Sequence, residues 1–454
     1  MITLPEVPIA SFTAARNTCK LCAPLGACLA LRGVEGCLPL LHGSQGCATY
    51  IRRYMISHFK EPMDIASSNF GEISTIYGGK DNLRAALGNV MRQYRPKLVG
   101  IATTCLAETI GDDVGAYISS IRDELGPDAP ELIHVSTPSY AGTHADGFRA
   151  TVAAIVEGLA EPGPAHKGIN VICGMASPAD LRYLKAIMRD FGLDATVLPD
   201  YSDTLDSPAW AEYQVIAPGG TPIESIRRMG SARATIEFAD AGSRSTTAGR
   251  ILETKFKVPC HRLPLPIGVT RSDELFRILE GLSGRATPPE HKDERGRLVD
   301  AYVDAHKYVF GKRAIVYGES DLVLGIVSFL AEIGMAPVLC ATGAKHAGLA
   351  QSIRSMGIQL AEDAVVHEDA DFEEIEELAS RVSAEIVIGN SKGYRLAHGV
   401  GAPLLRIGFP VHDRIDGPRI LHLGYRGAQQ LFDRVANALI GAAQEASPIG
   451  YSYM

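Results

Sequence analysis

The sequence lacks the signatures of several common chemistries. It contains no G-x-x-x-x-G-K-[ST] phosphate loop, so if ATP drives its reaction, a partner hydrolyses it. Gly78-Gly79-Lys80 is followed by an aspartate and reads as a turn opening a helix. Neither a G-x-S-x-G elbow nor an H-E-x-x-H pair occurs, which removes the α/β-hydrolase nucleophile and the zinc-protease helix. A basic excess is also missing. The formal charge is −8, which argues against a general nucleic-acid binder. Arg52, Arg53 and Lys60 form only a small basic patch. Residues 1–12 show no basic stretch leading into an apolar one, so no secretory signal is read. The longest apolar run, residues 322–344, is broken by Glu332, Gly334 and Pro337. It reads as strand–helix–strand in a buried α/β layer and not as a membrane span. The chain is expected in the cytoplasm, with neither membrane nor nucleic acid as partner.

What is present is a chain of 454 residues, 46% hydrophobic and 21% charged, enough for several domains with large cores. There is no short-period repeat and no low-complexity tract. Strand-like runs are predicted at residues 97–104, 131–136, 169–173, 196–198, 214–217, 234–238, 314–317, 337–340, 385–388 and 403–407. Helix-like segments fall between them, at 81–94, 181–191, 322–333 and 372–383. Such alternation predicts an α/β fold, with parallel sheets covered by helices on both faces. Two polar, proline-containing stretches, 161–168 and 284–296, look like exposed connections. They divide the chain into three α/β domains: residues 1–163, 164–296 and 297–454. The last opens on a bridging helix near 298–307.

The nine cysteines are Cys19, Cys22, Cys28, Cys37, Cys47, Cys105, Cys173, Cys260 and Cys340. Their odd number argues against a disulfide framework, and the crowding of five into the first 47 residues needs a reason. Cys105 directly follows the predicted strand 97–104, at the carboxyl end where open α/β sheets bind ligands. Cys47 ends HGSQGC, whose glycines allow a close backbone approach. Cys22 opens CAPLGA, where proline and glycine interrupt regular structure. All three are expected on loops beside small residues. Thiolates suit iron–sulfur chemistry, and the gaps between these cysteines are too long for a compact ferredoxin run or a zinc ribbon. Cubane clusters and structural zinc sites take four protein ligands, so the remaining ligands are expected from another chain. Cys19 makes a C-x-x-C with Cys22 but lacks the strand-then-helix setting of a redox dithiol. The other five cysteines read as packing residues. Ser139, in TPSY after the strand at 131–136, either caps a turn or offers a hard oxygen to iron.

These residues resemble a known family. CAPLGA at Cys22, HGSQGC at Cys47, TTCLAE around Cys105, IGDDV at Ile110 and TPSY at Thr137 are similar to the β-type subunit of nitrogenase component 1. ERGRLVDAYVDAH at Glu294, GKRAIVYGESDLVLG at Gly311, IGNS at Ile388, PLLRIGFPVHDR at Pro403 and LGYRGA at Leu423 continue the match in order. The resemblance implies three Rossmann-like domains and an α2β2 heterotetramer with a homologous α-type subunit. It implies that Cys22, Cys47 and Cys105 hold half of a shared P-cluster, an [8Fe-7S] group or a smaller [4Fe-4S] relative. Ser139 matches the serine that can bind an oxidised iron. An ATP-hydrolysing iron protein would feed electrons through the cluster to a cofactor on the α-type subunit. The cysteine that holds that cofactor would fall near Ala241, where this chain has none, so the β type is implied and no catalytic residue is expected here. Only 21 residues precede Cys22, fewer than in most dinitrogenase β subunits. Within the family this favours the nitrogenase-like reductases, with methylthio-alkane reductase first among them. The alternatives are the β-type chain of the cofactor-assembly scaffold, which is not an enzyme, and a dinitrogenase β subunit. Retention of all three cysteines and the serine favours a reductase over the scaffold.

Overall fold

The fold is that of a computed structural model, which describes residues 17–126, 129–239, 246–345 and 347–449. The segment at 1–12 and the position near Ala241 lie outside the described residues. Cα packing groups the chain into two compact units. One comprises Leu21–Phe238 and Arg244–Arg262; the other comprises Met1–Lys20, Ala239–Ser243 and Leu263–Met454.

The first unit opens with α1 (Ala23–Arg32), β1 (Cys37–His42), α2 (Gln45–Phe59), β2 (Ala66–Ser67), α3 (Glu72–Tyr77) and α4 (Lys80–Tyr94). β3 (Leu98–Thr103), α5 (Cys105–Ile110), α6 (Val114–Leu125), β4 (Glu131–Val135) and α7 (His144–Leu159) follow. The four strands form a parallel sheet in the order β2-β1-β3-β4. β1 and β3, CLPLLH and LVGIAT, are buried at every position, as in strands covered on both faces. β2 pairs only Leu40 and Leu41, which leaves Pro39 without a ladder partner on that side and makes a proline tolerable there. Leu83, Leu87 and Val90 recur at helical spacing on α4 and pack with Leu40, Val99 and Ile101.

α1 is buried along its whole length. Its Gly26 lies so close to α7 that an added Cβ would sit 1.7 Å from the His144 carbonyl oxygen. Gly147 of α7 lies as close to the Ala23 carbonyl, at 2.0 Å. These two glycines let the helix backbones touch, and the contact fixes the start of α1, where Cys22 stands.

The same unit holds a second sheet. β5 (Ile169–Ile172), α8 (Pro178–Asp190), β6 (Ala195–Leu198), α9 (Ile223–Arg227), β7 (Ala234–Phe238), α10 (Ala248–Phe256) and β8 (Cys260–Leu263) give the strand order β6-β5-β7-β8. Residues 214–217, predicted as a strand, are irregular. Tyr213 and Val215 are exposed, so this run has no layer to join.

The other unit contains α11 (Gly268–Ser283), α12 (Pro289–Val309), β9 (Arg313–Gly318), α13 (Ser320–Glu332), β10 (Ala336–Thr342) and α14 (Leu349–Ser355). β11 (Val365–His367), α15 (Phe372–Ala379), β12 (Ile386–Gly389), α16 (Tyr394–Val400), β13 (Leu404–Arg406) and α17 (Gly424–Ala446) complete it. Its parallel sheet runs β11-β10-β9-β12-β13. Most of the expected connection at 284–296 is helix, because α12 already starts at Pro289. A proline in the first turn gives up an N–H that has no helical partner anyway, so it opens a helix as readily as it ends one. The α/β class with parallel sheets is therefore the fold adopted. Among the described residues no helix is long and apolar enough to cross a membrane.

Candidate metal centre

Three cysteines stand at the starts of three helices in the first unit. Cys22 is the N-cap of α1, in extended conformation. Cys47 lies in the first turn of α2, behind Ser44, whose hydroxyl accepts from the Gly46 amide at 3.3 Å. Cys105 is the first residue of α5. The expectation of loop positions is thus corrected for Cys47 and Cys105. The turns leaving β1 and β3 are so short that the helices begin almost at once. A helix N-terminus favours negative charge and a thiolate in particular.

Hydrogen bonds lace these turns together. The Thr104 amide donates to the His42 carbonyl at 3.0 Å. Gly43, at φ +152°, packs so tightly that a Cβ would lie 1.9 Å from Thr104 Oγ1. The segment after β4 joins the other two turns. Thr137 donates through its amide to Thr103 Oγ1 at 3.0 Å and through its hydroxyl to the Thr103 carbonyl at 2.7 Å. The Ser139 amide then donates to Cys105 Sγ at 3.2 Å. Further along, Thr143 forms an isolated antiparallel bridge with Cys22, and the His144 amide donates to the Leu21 carbonyl at 3.0 Å. Residues 137–144 therefore reach both Cys105 and Cys22.

The electrostatics tie in Cys47. Its thiol is raised above the usual range by burial and then by the negative charges that Cys22 and Cys105 would carry. The Thr104 hydroxyl opposes the shift, yet it has no partner in full hydrogen-bond geometry. Mutual repulsion of three thiolates is relieved by a cation, and soft sulfur donors favour iron. Among the described residues no three His, Cys, Asp or Glu side chains close around a single ion. The arrangement is an open set of three thiols, with Cys22 exposed and Cys47 and Cys105 partly so. That donor set fits part of a larger iron–sulfur group.

The other six cysteines behave differently. Burial pushes the thiols of Cys19, Cys37 and Cys340 up to about 12, and those of Cys28 and Cys173 higher still. Cys260 reaches about 12 through burial and the neighbouring Glu237. Cys19 is buried in the core of the other unit with Ile315, Tyr317 and Val338. Arg52 and Arg53 lie exposed on α2, where Arg52 pairs with Asp64 at 3.6 Å.

Sequence reading missed His42 and Asp112. His42 ends β1, fully buried, with Nε2 3.0 Å from Asp112 Oδ2. Burial holds its pKa below the ordinary value, with Asp112 acting in the opposite direction. The only signals were the histidine of HGSQGC and the first aspartate of IGDDV, far apart in the chain.

Comparisons with known proteins show the family. The family of nitrogenase component 1 type oxidoreductases matches residues 22–440. The nitrogenase molybdenum–iron protein β chain of Clostridium pasteurianum is 35% identical over 93% of each chain. The vanadium–iron protein β chain of Trichormus variabilis is 34% identical over 92% of each. The solved structure "Nitrogenase Cp1 at pH 6.5" superposes with a TM-score of 0.94 at 32% identity, covering 99% of both chains. Because the clostridial chain is matched almost end to end, the short segment before Cys22 does not separate this chain from dinitrogenase β chains. The chain belongs to the nitrogenase component 1 family and is a β-type subunit of it.

Proposed function

We propose that the chain is the electron-relay half of an ATP-dependent reductase. Cys22, Cys47 and Cys105 would hold half of an iron–sulfur cluster of P-cluster type, whose other ligands come from a homologous α-type subunit in an α2β2 assembly. The observation that carries this reading is that hydrogen bonds link the turns of three helix starts, each of which bears an accessible thiol. When bound, such a cluster would supply one-electron storage and transfer at low potential. The chain's own residues set the conditions. The Ser139 amide disperses charge on the Cys105 sulfur, and the Ser139 hydroxyl is the candidate oxygen ligand. Ile73, Ile76 and Tyr77 of α3 are 75%, 74% and 83% exposed, and α3 packs against the Cys105-bearing helix α5. A patch of this kind suits a transient protein partner, and we assign it to the ATP-hydrolysing iron protein.

The candidate substrates are small methylthio-alkanes. Two electrons and two protons would cleave a C–S bond to give methanethiol and a hydrocarbon, the electrons coming from the iron protein. Identity is level, at 33–35%, with molybdenum- and vanadium-type β chains, so it ties the chain to neither metal type. Dinitrogen, the substrate suggested by the relatives' names, is the alternative. The test is anaerobic turnover of the complex of this chain and its natural α-type partner with iron protein, ATP and a low-potential reductant. Methylthio-ethanol and dinitrogen would be supplied separately. ATP-dependent methanethiol is the expected product. Ammonia alone would assign a dinitrogenase. No product from either, at full iron content and with an active iron protein, would leave the assembly scaffold or a reductase of a different substrate.

A further inference from the structure

Between the exposed helix α3 and the cysteine-bearing turns lies one buried polar junction. Asp112, its side chain 3% exposed, accepts from the Gly79 amide at 3.2 and 3.0 Å, from Tyr117 Oη at 3.1 Å and from His42 Nε2 at 3.0 Å. Gly79 is the N-cap of α4 and lies two residues beyond Tyr77, the end of α3. Asp112 itself follows the end of α5, and its amide donates to the Ala107 carbonyl at 3.2 Å. His42 ends β1, and its carbonyl accepts from the amide of Thr104, the residue before Cys105. Its ring meets Phe70 edge to face at 4.8 Å, and Phe70 in turn fills the space over Gly79. Gly43, the next residue, accepts from the Phe70 amide at 2.9 Å. The α3–α4 junction, the Cys47 turn and both ends of the Cys105 helix thus meet around two residues, through their side chains and their backbone.

Such a junction is stiff. Asp112 has its donors from three elements, and His42 Nδ1 is buried without a hydrogen-bond partner among the described residues. Moving Gly79 therefore breaks a buried hydrogen bond unless Asp112 and His42 move with it. We propose that His42 and Asp112 are positioning residues that pass a displacement of α3 to the turns carrying Cys47 and Cys105. Docking on α3 would then reset the geometry of two of the three thiols. This rests on the docking assignment made above and adds the route by which docking acts.

The experiment is amide hydrogen exchange on the complex with its α-type subunit, with and without iron protein held by a non-hydrolysable ATP analogue. In the wild type, docking protects residues 72–77 and also changes exchange in 43–47 and 105–112. His42→Phe keeps a ring against Phe70 but cannot bond Asp112. In it, protection at 72–77 persists and the change at 43–47 and 105–112 is lost. Its maximal rate falls about tenfold, the scale of a small misplacement at a reacting centre, while the iron-protein concentration giving half-maximal rate is unchanged. His42→Gln, which can still donate to Asp112, restores both in part. Asp112→Asn serves if His42→Phe does not assemble. Unchanged propagation in these variants would overturn the proposal, as would iron loss before docking, because the pair would then build the site and not transmit to it. A wild type unprotected at 72–77 would remove the docking assignment, and the proposal with it.

Discussion

The backbone amide of Ser139 donates a hydrogen bond to the sulfur of Cys105 across 3.2 Å, joining the segment after β4 to the first residue of α5. The donor is held by backbone, so it fixes the position of the sulfur relative to the segment after β4.

Cys105→Ala removes the sulfur that this amide serves. The variant should assemble with its α-type partner, since Cys105 lies partly exposed at a helix start. ATP-dependent turnover should be abolished while the α-subunit cofactor stays bound. Iron analysis, together with turnover at saturating iron protein, checks this; full turnover would remove Cys105 from the relay.

Gly26→Ala places a methyl group 1.7 Å from the His144 carbonyl oxygen. The obstruction is backbone, so α1 and α7 must separate. Overpacking of this kind costs about 1–3 kcal/mol, and the start of α1 carries Cys22. Calorimetry of the complex should show a lower melting temperature. Iron content should fall with it, although the variant loses no thiol.

How much of this was legible beforehand follows from the range of each signal. The place of Cys105 just beyond the carboxyl end of a strand was readable because a β-rich run and its end are local features. The helical setting of Cys47 was obscured by the two glycines of HGSQGC, which suggest a loop, although Ser44 caps the helix ahead of them. β1 was not read as a strand because it contains Pro39, acceptable only because β2 is short. Residues 214–217 have strand-like composition but no neighbour to pair with. The meeting of His42 and Asp112 depends on how β1 and the turn between α5 and α6 are placed by the sheet, and no local pattern encodes that. The motif around Asp413 was legible as a family mark, while its role became clear only from its contacts.

Asp413 supplies a pH dependence. Burial would raise its carboxyl, but Arg406 and Ser391 hydrogen-bond to it and, with the charge of Arg414, hold it at about 2. Arg406 Nε approaches its two oxygens at 2.9 and 2.8 Å. The folded value lies below an unfolded value of about 3.9. The stabilisation is therefore complete above about pH 4 and is lost as pH falls towards the folded value. The melting-temperature difference between wild type and Asp413→Asn should be full at pH 6 and shrink as pH falls below about 4. A difference constant with pH would show that the ion pair is not its source.

The exposed face of α3 gives the last expected outcome. Ile76 and Tyr77 contribute little to the fold, being 74% and 83% exposed, so Ile76→Asp and Tyr77→Ser should change stability by less than about 0.5 kcal/mol. As a docking face, however, α3 would lose an apolar anchor, and truncating an anchor typically costs more than about 1 kcal/mol of binding. Half-maximal turnover should then need about tenfold more iron protein, which corresponds to about 1.4 kcal/mol. The maximal rate should be retained, since the variants touch neither the thiols nor the His42–Asp112 junction. Titration of turnover against iron protein separates the two quantities. An unchanged titration would place the docking face elsewhere on the complex.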